Sequence, residues 1–376
     1  MSENENYEVN PTTSKTDSSS CLCINRLLLR NFRNYSQADV TFSPLTNVIQ
    51  GDNGQGKTNL LEAIHFVSTG RSFRTNNLSD LIYFGQNFFY LEAEFHKDDV
   101  TQTLKIYYDT TVRKVQYNQT THSTLTSLLG ILPSVLLSPD DLSLVTGGPS
   151  ERRRFLDLYI AQTDPLYLDH LGRYFKAMKQ RNHLLRAKSE SAIDIWEQMM
   201  AQSASYLIQK RKQATASLKP PASQWMKILS NHQDSIKIHY QSSLSPIEND
   251  DSTAHFQKMW QKSRAREMHM GLTMIGPHRD DLLFDLAEKS AKIFSSEGQK
   301  RSCISALRFA QWEQMAESLG YLPILGIDDF GIQLDKTRQL QLNNHLSKFK
   351  QVFLTSPFSL QNSDAHILTI EKGTIL

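Results

Sequence analysis

The octapeptide GDNGQGKT at residues 51–58 satisfies every defined position of the phosphate-loop pattern G-x-x-x-x-G-K-[ST]. Gly51, Gly54 and Gly56 let the backbone wrap closely around a phosphate. The successive N–H groups through Asp52, Asn53 and Gln55, ending at a helix N-terminus, supply positive potential. Lys57 is placed to reach the β and γ phosphates, and Thr58 to offer its hydroxyl to Mg²⁺. The pattern predicts a bound ATP or GTP with Mg²⁺.

A second group of chemistry-bearing residues follows an apolar run. In LPILGIDDFGIQLD, at residues 322–335, two acids emerge together where a buried strand would end. A strand end beside a phosphate loop is where a metal must be held, so Asp328 is the candidate Mg²⁺ ligand, acting with Thr58. Asp329 stands next to it and could orient or deprotonate the attacking water, which makes Asp329 and Lys57 the candidate catalytic pair. The plainer alternative is an acidic pair ending a strand in a solvated turn; the phosphate loop in the same chain favours the site.

Third, SSEGQKRSCISALRFAQ at residues 295–311 opens with small and polar residues and continues into an apolar-periodic segment. Ser296, Gly298 and Gln299 at a helix start would form an anion site, although a plain N-cap has the same appearance.

These groups need a scaffold to bring them together. The stretch from Leu22 to Phe32 and TNVIQ at residues 46–50 are strand-like, and NLLEAIHFV after the loop sets Leu60, Leu61, Ile64 and Phe66 at helical spacing. Strand, glycine loop, helix is the context a phosphate loop requires. Residues 88–96 alternate, with Phe89, Leu91, Ala93 and Phe95 on one face, and two further strand-like runs follow turns at Asp98-Asp99 and Asp109-Thr110. This predicts an antiparallel layer. From about 139 to 270 helical spacing dominates, through Leu168, Leu171, Phe175, Met178 and Leu185, then Trp196, Met199, Met200 and Leu207. Its helices read as too short and too poorly heptad-ordered for a long coiled coil. Strand signals return in YLPILGIDD, QVFLTS and AHILTIEKGTIL. The predicted fold is therefore α/β: a phosphate-loop head at 21–138 and 271–376, with a helical lobe inserted at 139–270. Residues 1–20, rich in Ser, Thr, Asn and Glu, read as a disordered tail.

Composition narrows the class. Cys21, Cys23 and Cys303 are the three cysteines in 376 residues, with no C-x-x-C spacing, which suits a reducing cytoplasm. No run approaches the roughly 18 apolar residues that cross a bilayer, so no membrane association is expected. Forty-one Lys plus Arg against 39 Asp plus Glu leaves a net charge of +2, so any DNA surface must come from local clustering.

The order of phosphate loop, S-x-G-Q, paired acids and a Leu334-Asp335 step resembles the ATP-binding-cassette head, and within that class the chain resembles the RecF family of bacterial recombination mediators. Four runs carry the resemblance: LLLRNFRNY at 27–35, GDNGQGKTNLLEAI at 51–64, LSPDDLSLVTGGPSERRRFLD at 137–157, and GPHRDDL at 276–282. It implies that Ser296, Gly298 and Gln299 close over the γ-phosphate bound to a second subunit, so that ATP drives head-to-head homodimerisation and hydrolysis releases it. It further implies weak, DNA-stimulated ATPase activity on double-stranded or gapped DNA, with RecO, RecR and RecA as partners. Ile332 and Gln333 depart from the family's Ser-Glu, which puts the fine tuning of the inter-subunit contact in question.

Between Arg173 and Lys188 there are six Lys and Arg residues and no acid, with Lys176, Lys179, His183 and Arg186 on one side of the predicted helix. Like-signed charge without acidic partners suits a phosphate surface. Arg152, Arg153 and Arg154, and Lys210, Arg211 and Lys212, are further clusters; Lys176, Lys179, Arg186 and Arg152 are the candidate DNA contacts. Ordinary solvated helix faces are the alternative. His278 and Arg279 are candidate phosphate or partner contacts, or parts of a turn held by Asp280 or Asp281. An SMC-like chromosome ATPase and a phosphate-loop DNA motor are the competing functions. The first requires long heptad arms, and the second does not account for the S-x-G-Q segment ahead of the paired acids.

Overall fold

The computed structural model describes residues 22–98, 100–244, 252–330, 336–357 and 365–376. The expected tail, Ile332, Gln333 and the Leu334-Asp335 step lie outside the described residues.

Two six-stranded sheets build the head. The first is antiparallel throughout, in the order β2-β1-β4-β5-β6-β7. Its strands are β1 (Leu22–Phe32), β2 (Tyr35–Thr41), β4 (Phe88–Lys97), β5 (Val100–Asp109), β6 (Arg113–Tyr117) and β7 (Thr120–His122). The alternation read along β4 is the alternation observed: Phe89, Leu91, Ala93 and Phe95 are all fully buried.

The second sheet is parallel except for its last hairpin, in the order β15-β14-β3-β13-β12-β8. It comprises β3 (Thr46–Gln50), β8 (Ser134–Leu137), β12 (Ile324–Ile327), β13 (Val352–Ser356), β14 (His366–Glu371) and β15 (Thr374–Ile375). The short runs of β8 and β12 are buried at every residue, as in strands covered on both faces. Between the sheets lies α1 (Lys57–Thr69), which touches β1 and β4 on one side and β8 and β13 on the other. That explains why it is buried nearly all round, with Glu62, His65 and Ser68 as well as its apolar residues, and it stops at Gly70 in the left-handed conformation (φ 67°).

The inserted lobe holds α2 (Leu142–Thr146), α3 (Pro149–Thr163), α4 (Pro165–Arg186), α5 (Ile193–Leu229) and α6 (Ser252–Met270). Three features depart from the sequence reading. First, α5 is one helix of 37 residues, about 55 Å long, even though Pro220 and Pro221 lie within it. It folds back on α4 and α6 instead of projecting as an arm. Second, the lobe is not purely helical: β9 (Ile236–Gln241) pairs with β10 (Asp281–Leu286), which in turn pairs with β11 (Lys289–Ser290), so the expected boundary at 270 cuts through a sheet. Third, Phe175 is exposed, and Tyr174, Ala177 and Arg181 take the buried stripe of α4. The chain then passes through α7 (Ala291–Phe294) into α8 (Glu297–Leu319), and later α9 (Lys336–Asn343). The joint between lobe and head is α5 against α8, where Trp225 packs on Phe309 and Phe349 at ring separations of 4.9 and 5.8 Å.

Arg181, one of the cations of α4, is wholly buried and bonds to Glu197 and Glu267, as well as to Thr273. Removing one member of such a set leaves charge uncompensated in a dry interior. Arg181→Ala is expected to lower unfolding free energy by about 3–5 kcal/mol. Chemical denaturation checks this, and a loss under about 1 kcal/mol would mean that the network carries little of the lobe's stability.

Candidate nucleotide site

Parallel strands place their C-terminal ends on one edge of a sheet, and that edge is where ligands bind in such folds. Here β3 runs into the glycine loop, β12 into Asp328 and Asp329, and β13 ends beside them. Gly51, Gly54 and Gly56 take φ of 146°, 81° and 120°, which L side chains rarely adopt. At Gly51 a Cβ would meet the Ile370 carbonyl at 2.3 Å, and at Gly56 it would meet the Asn34 side chain at 2.6 Å. Gly51 and Gly56 are therefore dictated by their neighbours as well as by the turn, and Gly54 by the turn alone.

The loop opens on a cleft of about 550 Å³ lined by Asn53, Gly54, Gly56, Lys57, Thr58, Asn59, Phe73, Arg74, Pro139, Asp140, Asp328 and Asp329. The Lys57 ammonium donates to the carbonyls of Gly51 (2.7 Å) and Asp52 (2.8 Å), folding back over its own loop. Burial lowers its pKa, against the pull of Asp329, Asp328 and Asp52.

Asp328 is 3% exposed. Its Oδ1 accepts from Thr58 Oγ1 (3.0 Å) and from Thr355 Oγ1 (2.7 Å). Burial raises its pKa, with Thr355 and Thr58 opposing and Asp329 adding to the rise. Asp329 adopts φ 52°, left-handed for a residue with a side chain, and its N–H donates to Thr355 Oγ1 at 2.8 Å. The expected set of Lys57, Thr58, Asp328 and Asp329 therefore surrounds one cleft. Thr58 and Asp328 form an oxygen-only donor pair of the kind Mg²⁺ takes when phosphate oxygens and waters complete its shell.

Ser296, Gly298 and Gln299 do not line this cleft. They form the first turn of α8, where Ser296 caps the helix: Gln299 N–H donates to Ser296 Oγ at 3.2 Å and the Gln299 side chain accepts from Ser296 N–H at 3.0 Å. Within one chain the segment is an N-cap whose turn is still exposed at Ser296.

Two groups at the cleft were missed. Arg74 donates to Asn59 Oδ1 (2.8 Å), Asn59 donates to Asn34 (2.7 Å), and Asn34 donates to the Gln55 carbonyl of the loop (2.9 Å). Asp140 borders the cleft from the turn after β8. The FRNY and SPDDL runs contain Asn34 and Asp140, but nothing in their spacing assigns them to a phosphate site.

Among the candidate DNA contacts, Lys176, Lys179 and Arg186 are exposed on α4 and form no ion pair among the described residues. Arg152 is a correction. It is 7% exposed, grips Asp281 through Nε and Nη2 (2.7 and 2.9 Å) and caps the Leu144 and Gly147 carbonyls, so it fastens α3 to β10. Arg211 is likewise buried on Asp157, Tyr167 and the Pro277 carbonyl. His278 bonds to Tyr174 Oη (2.7 Å) and the Thr273 carbonyl (3.1 Å) and Asp280 is fully buried, so the GPHRDDL turn is structural at those positions while Arg279 is exposed.

Comparison with known proteins bears on the family and the fold. The family described as RecF/RecN/SMC N terminal domain matches residues 23–368. A DNA replication and repair protein RecF from Protochlamydia amoebophila (strain UWE25) is 45% identical over 348 residues, covering 92% of this chain and 97% of its own. The RecF of Chlamydia abortus (strain DSM 27085 / S26/3) is 38% identical, covering 88% and 90%. A solved structure of the recombination mediator protein RecF with ATP, in the RecFOR pathway, superposes with a TM-score of 0.88 at 27% identity, over 96% of this chain and 99% of that one. An Smc head domain from Pyrococcus furiosus shares the fold at a TM-score of 0.55 and 17% identity, over 94% and 95% of the two chains.

Thr355 connects the two acids, so its hydroxyl is the point to test. Thr355→Val keeps the shape while orphaning the Asp329 N–H and freeing Asp328 to turn from Thr58. Affinity for ATP in the presence of Mg²⁺ is expected to fall about tenfold, with Mg²⁺-free affinity changing far less. Titrations with and without Mg²⁺ measure this; equal losses in both would contradict the assignment of Asp328.

Proposed function

The chain belongs to the RecF family of DNA replication and repair proteins, and on that footing we propose that ATP switches it from a free head to a homodimer closed on double-stranded or gapped DNA. There it helps load the RecA recombinase onto single-stranded gaps, together with RecO and RecR. The supporting observation is that the chemistry is split. One chain gathers Lys57, Thr58, Asp328 and Asp329 around a cleft, while its Ser296 turn stands outside that cleft. A second copy is needed to bring a serine hydroxyl and the amides of a helix start to the γ-phosphate.

In this reading an incoming phosphate takes the Lys57 ammonium from the carbonyls of Gly51 and Asp52, replacing two backbone acceptors by charged oxygens. Thr58 and Asp328 would hold Mg²⁺, which would supply positive charge to the bound phosphates. Asp329 accepts a proton from the attacking water as the new P–O bond forms and the β–γ bridging bond breaks. ADP and phosphate leave, and with them the reason for the second copy to stay. Nucleotide then acts as a timer for DNA residence. No helix among the described residues is long and apolar enough to cross a membrane.

Sedimentation with and without ATP tests the switch. Lys57→Ala is expected to lose ATP binding and dimerisation together. Ser296→Asp keeps an N-cap oxygen for Gln299 but sets a carboxylate before the partner's γ-phosphate, so it should bind ATP normally and stay monomeric. Dimers that form without ATP would sink the proposal.

The DNA face is tested separately. Changing Lys176, Lys179 and Arg186 together to Glu should weaken duplex binding uniformly across sequences and reduce the salt-dependence slope by about 1 per lost phosphate contact. An unchanged slope would remove α4 from the DNA surface.

A further inference from the structure

Behind the nucleotide cleft, and sharing Phe73 and Asp140 with it, lies a second cavity of about 110 Å³. It is lined from α1, β8, α3 and α8. Its walls carry two buried polar atoms with no hydrogen-bond partner, Ser134 Oγ and His65 Nδ1, in residues only 5% and 8% exposed. Groups left unsatisfied in this way are rare, and each marks a place where something polar belongs.

The charge around the cavity is unevenly used. Arg308 is spent on Asp141, which it grips at 2.5 and 3.1 Å. Arg71 and Arg154 line the same space and form no ion pair among the described residues; the Arg154 guanidinium donates to the Ser72 carbonyl at a long 3.5 Å. Glu151 and Asp140 are the other carboxylates at the border. Burial and the nearby Arg154 lower the Arg71 guanidinium, and burial with the charges of Arg308 and Arg154 pushes His65 down to about 3. The imidazole is therefore neutral at physiological pH and has one N–H to give.

We infer that this cavity binds a small tetrahedral oxyanion, inorganic phosphate, between Arg154, Arg71, Ser134 and His65. The volume is several times what one water needs, yet well below the few hundred Å³ of a pocket for a nucleotide. The inference rests on the ATP-hydrolysing reading above for the source of its ligand. If a second copy covers the front of the cleft, the wall shared at Phe73, which stands edge-on to His65 at 5.9 Å, is the side from which released phosphate would reach this cavity. The orphaned hydroxyl and imidazole, with two guanidiniums, supply donors to an anion that passes through.

The test is a titration of inorganic phosphate into the full chain saturated with a non-hydrolysable ATP analogue, so that the phosphate loop is filled and cannot report. Titrating the analogue alone beforehand tests the nucleotide reading by itself. One phosphate per chain is expected, with affinity reduced about tenfold by Arg154→Gln and several-fold by Ser134→Ala, and analogue affinity unchanged in both. No phosphate binding beside the analogue, or binding that both substitutions leave intact, overturns the site. Should Arg154→Gln fail to fold, Ser134→Ala decides alone.

Discussion

Asp328 is the carboxylate on which the head converges. It is carried by the end of β12, accepts a hydroxyl from α1 through Thr58 and another from β13 through Thr355, and its own N–H is tied to the Leu137 carbonyl of β8. Three adjacent strands and the helix between the sheets thus meet at one buried charge. Taking a carboxylate out of water is expensive unless hydrogen bonds or a cation compensate it, and here two hydroxyls do part of that work while burial still raises its pKa. A residue in that condition favours a cation. The same burial that raises the cost of this charge makes a neighbouring positive charge favourable.

The glycine loop depends on this frame from the other side. It is clamped by segments distant in sequence: Gly373 N–H donates to the Gln55 carbonyl (2.9 Å), Lys372 N–H to the Gln55 side chain (2.6 Å), Tyr35 Oη to the Gly56 carbonyl (2.9 Å) and Asn34 to the Gln55 carbonyl. The hairpin at the end of the chain and the β1–β2 turn therefore hold the loop's backbone open. That turn is itself anchored by Arg33, bidentate on the buried Glu62 of α1 at 2.7 and 2.8 Å. Positioning through α1 and two sheets leaves little slack for the phosphate-binding amides, which is how preorganised donors come to bind an anion well.

Legibility in the sequence followed the range of the interactions involved. Strand β4, the loop and α1 were readable because periodicity and glycine placement are local consequences of backbone geometry. Asp328 and Asp329 were readable because an apolar run ending in acids has few other uses beside a phosphate loop. Thr355 and Asn34 were not, since a threonine in a strand and an asparagine in a turn are unremarkable until the fold brings them against the acids and the loop. The length of α5 was hidden by Pro220 and Pro221, and β9 by the helices on either side of it; its partner β10 lies more than forty residues further on.

The cationic clusters show the same limit most sharply, because charge alone does not say where a side chain points. Arg152, Arg181 and Arg211 sit in runs that read as phosphate-binding, yet each is turned inward onto carboxylates: Asp281, Glu197 with Glu267, and Asp157. The lobe is wired by arginine, whose planar fork satisfies several acceptors at once in a dry interior. The α4 candidates left for solvent, Lys176, Lys179 and Arg186, are mostly lysine, the compact and strongly hydrated charge that suits a screened and replaceable contact. The contrast follows from hydration: guanidinium is the easier cation to bury, so the inward positions of the lobe hold arginine, while Lys176 and Lys179 keep their ammonium groups in water.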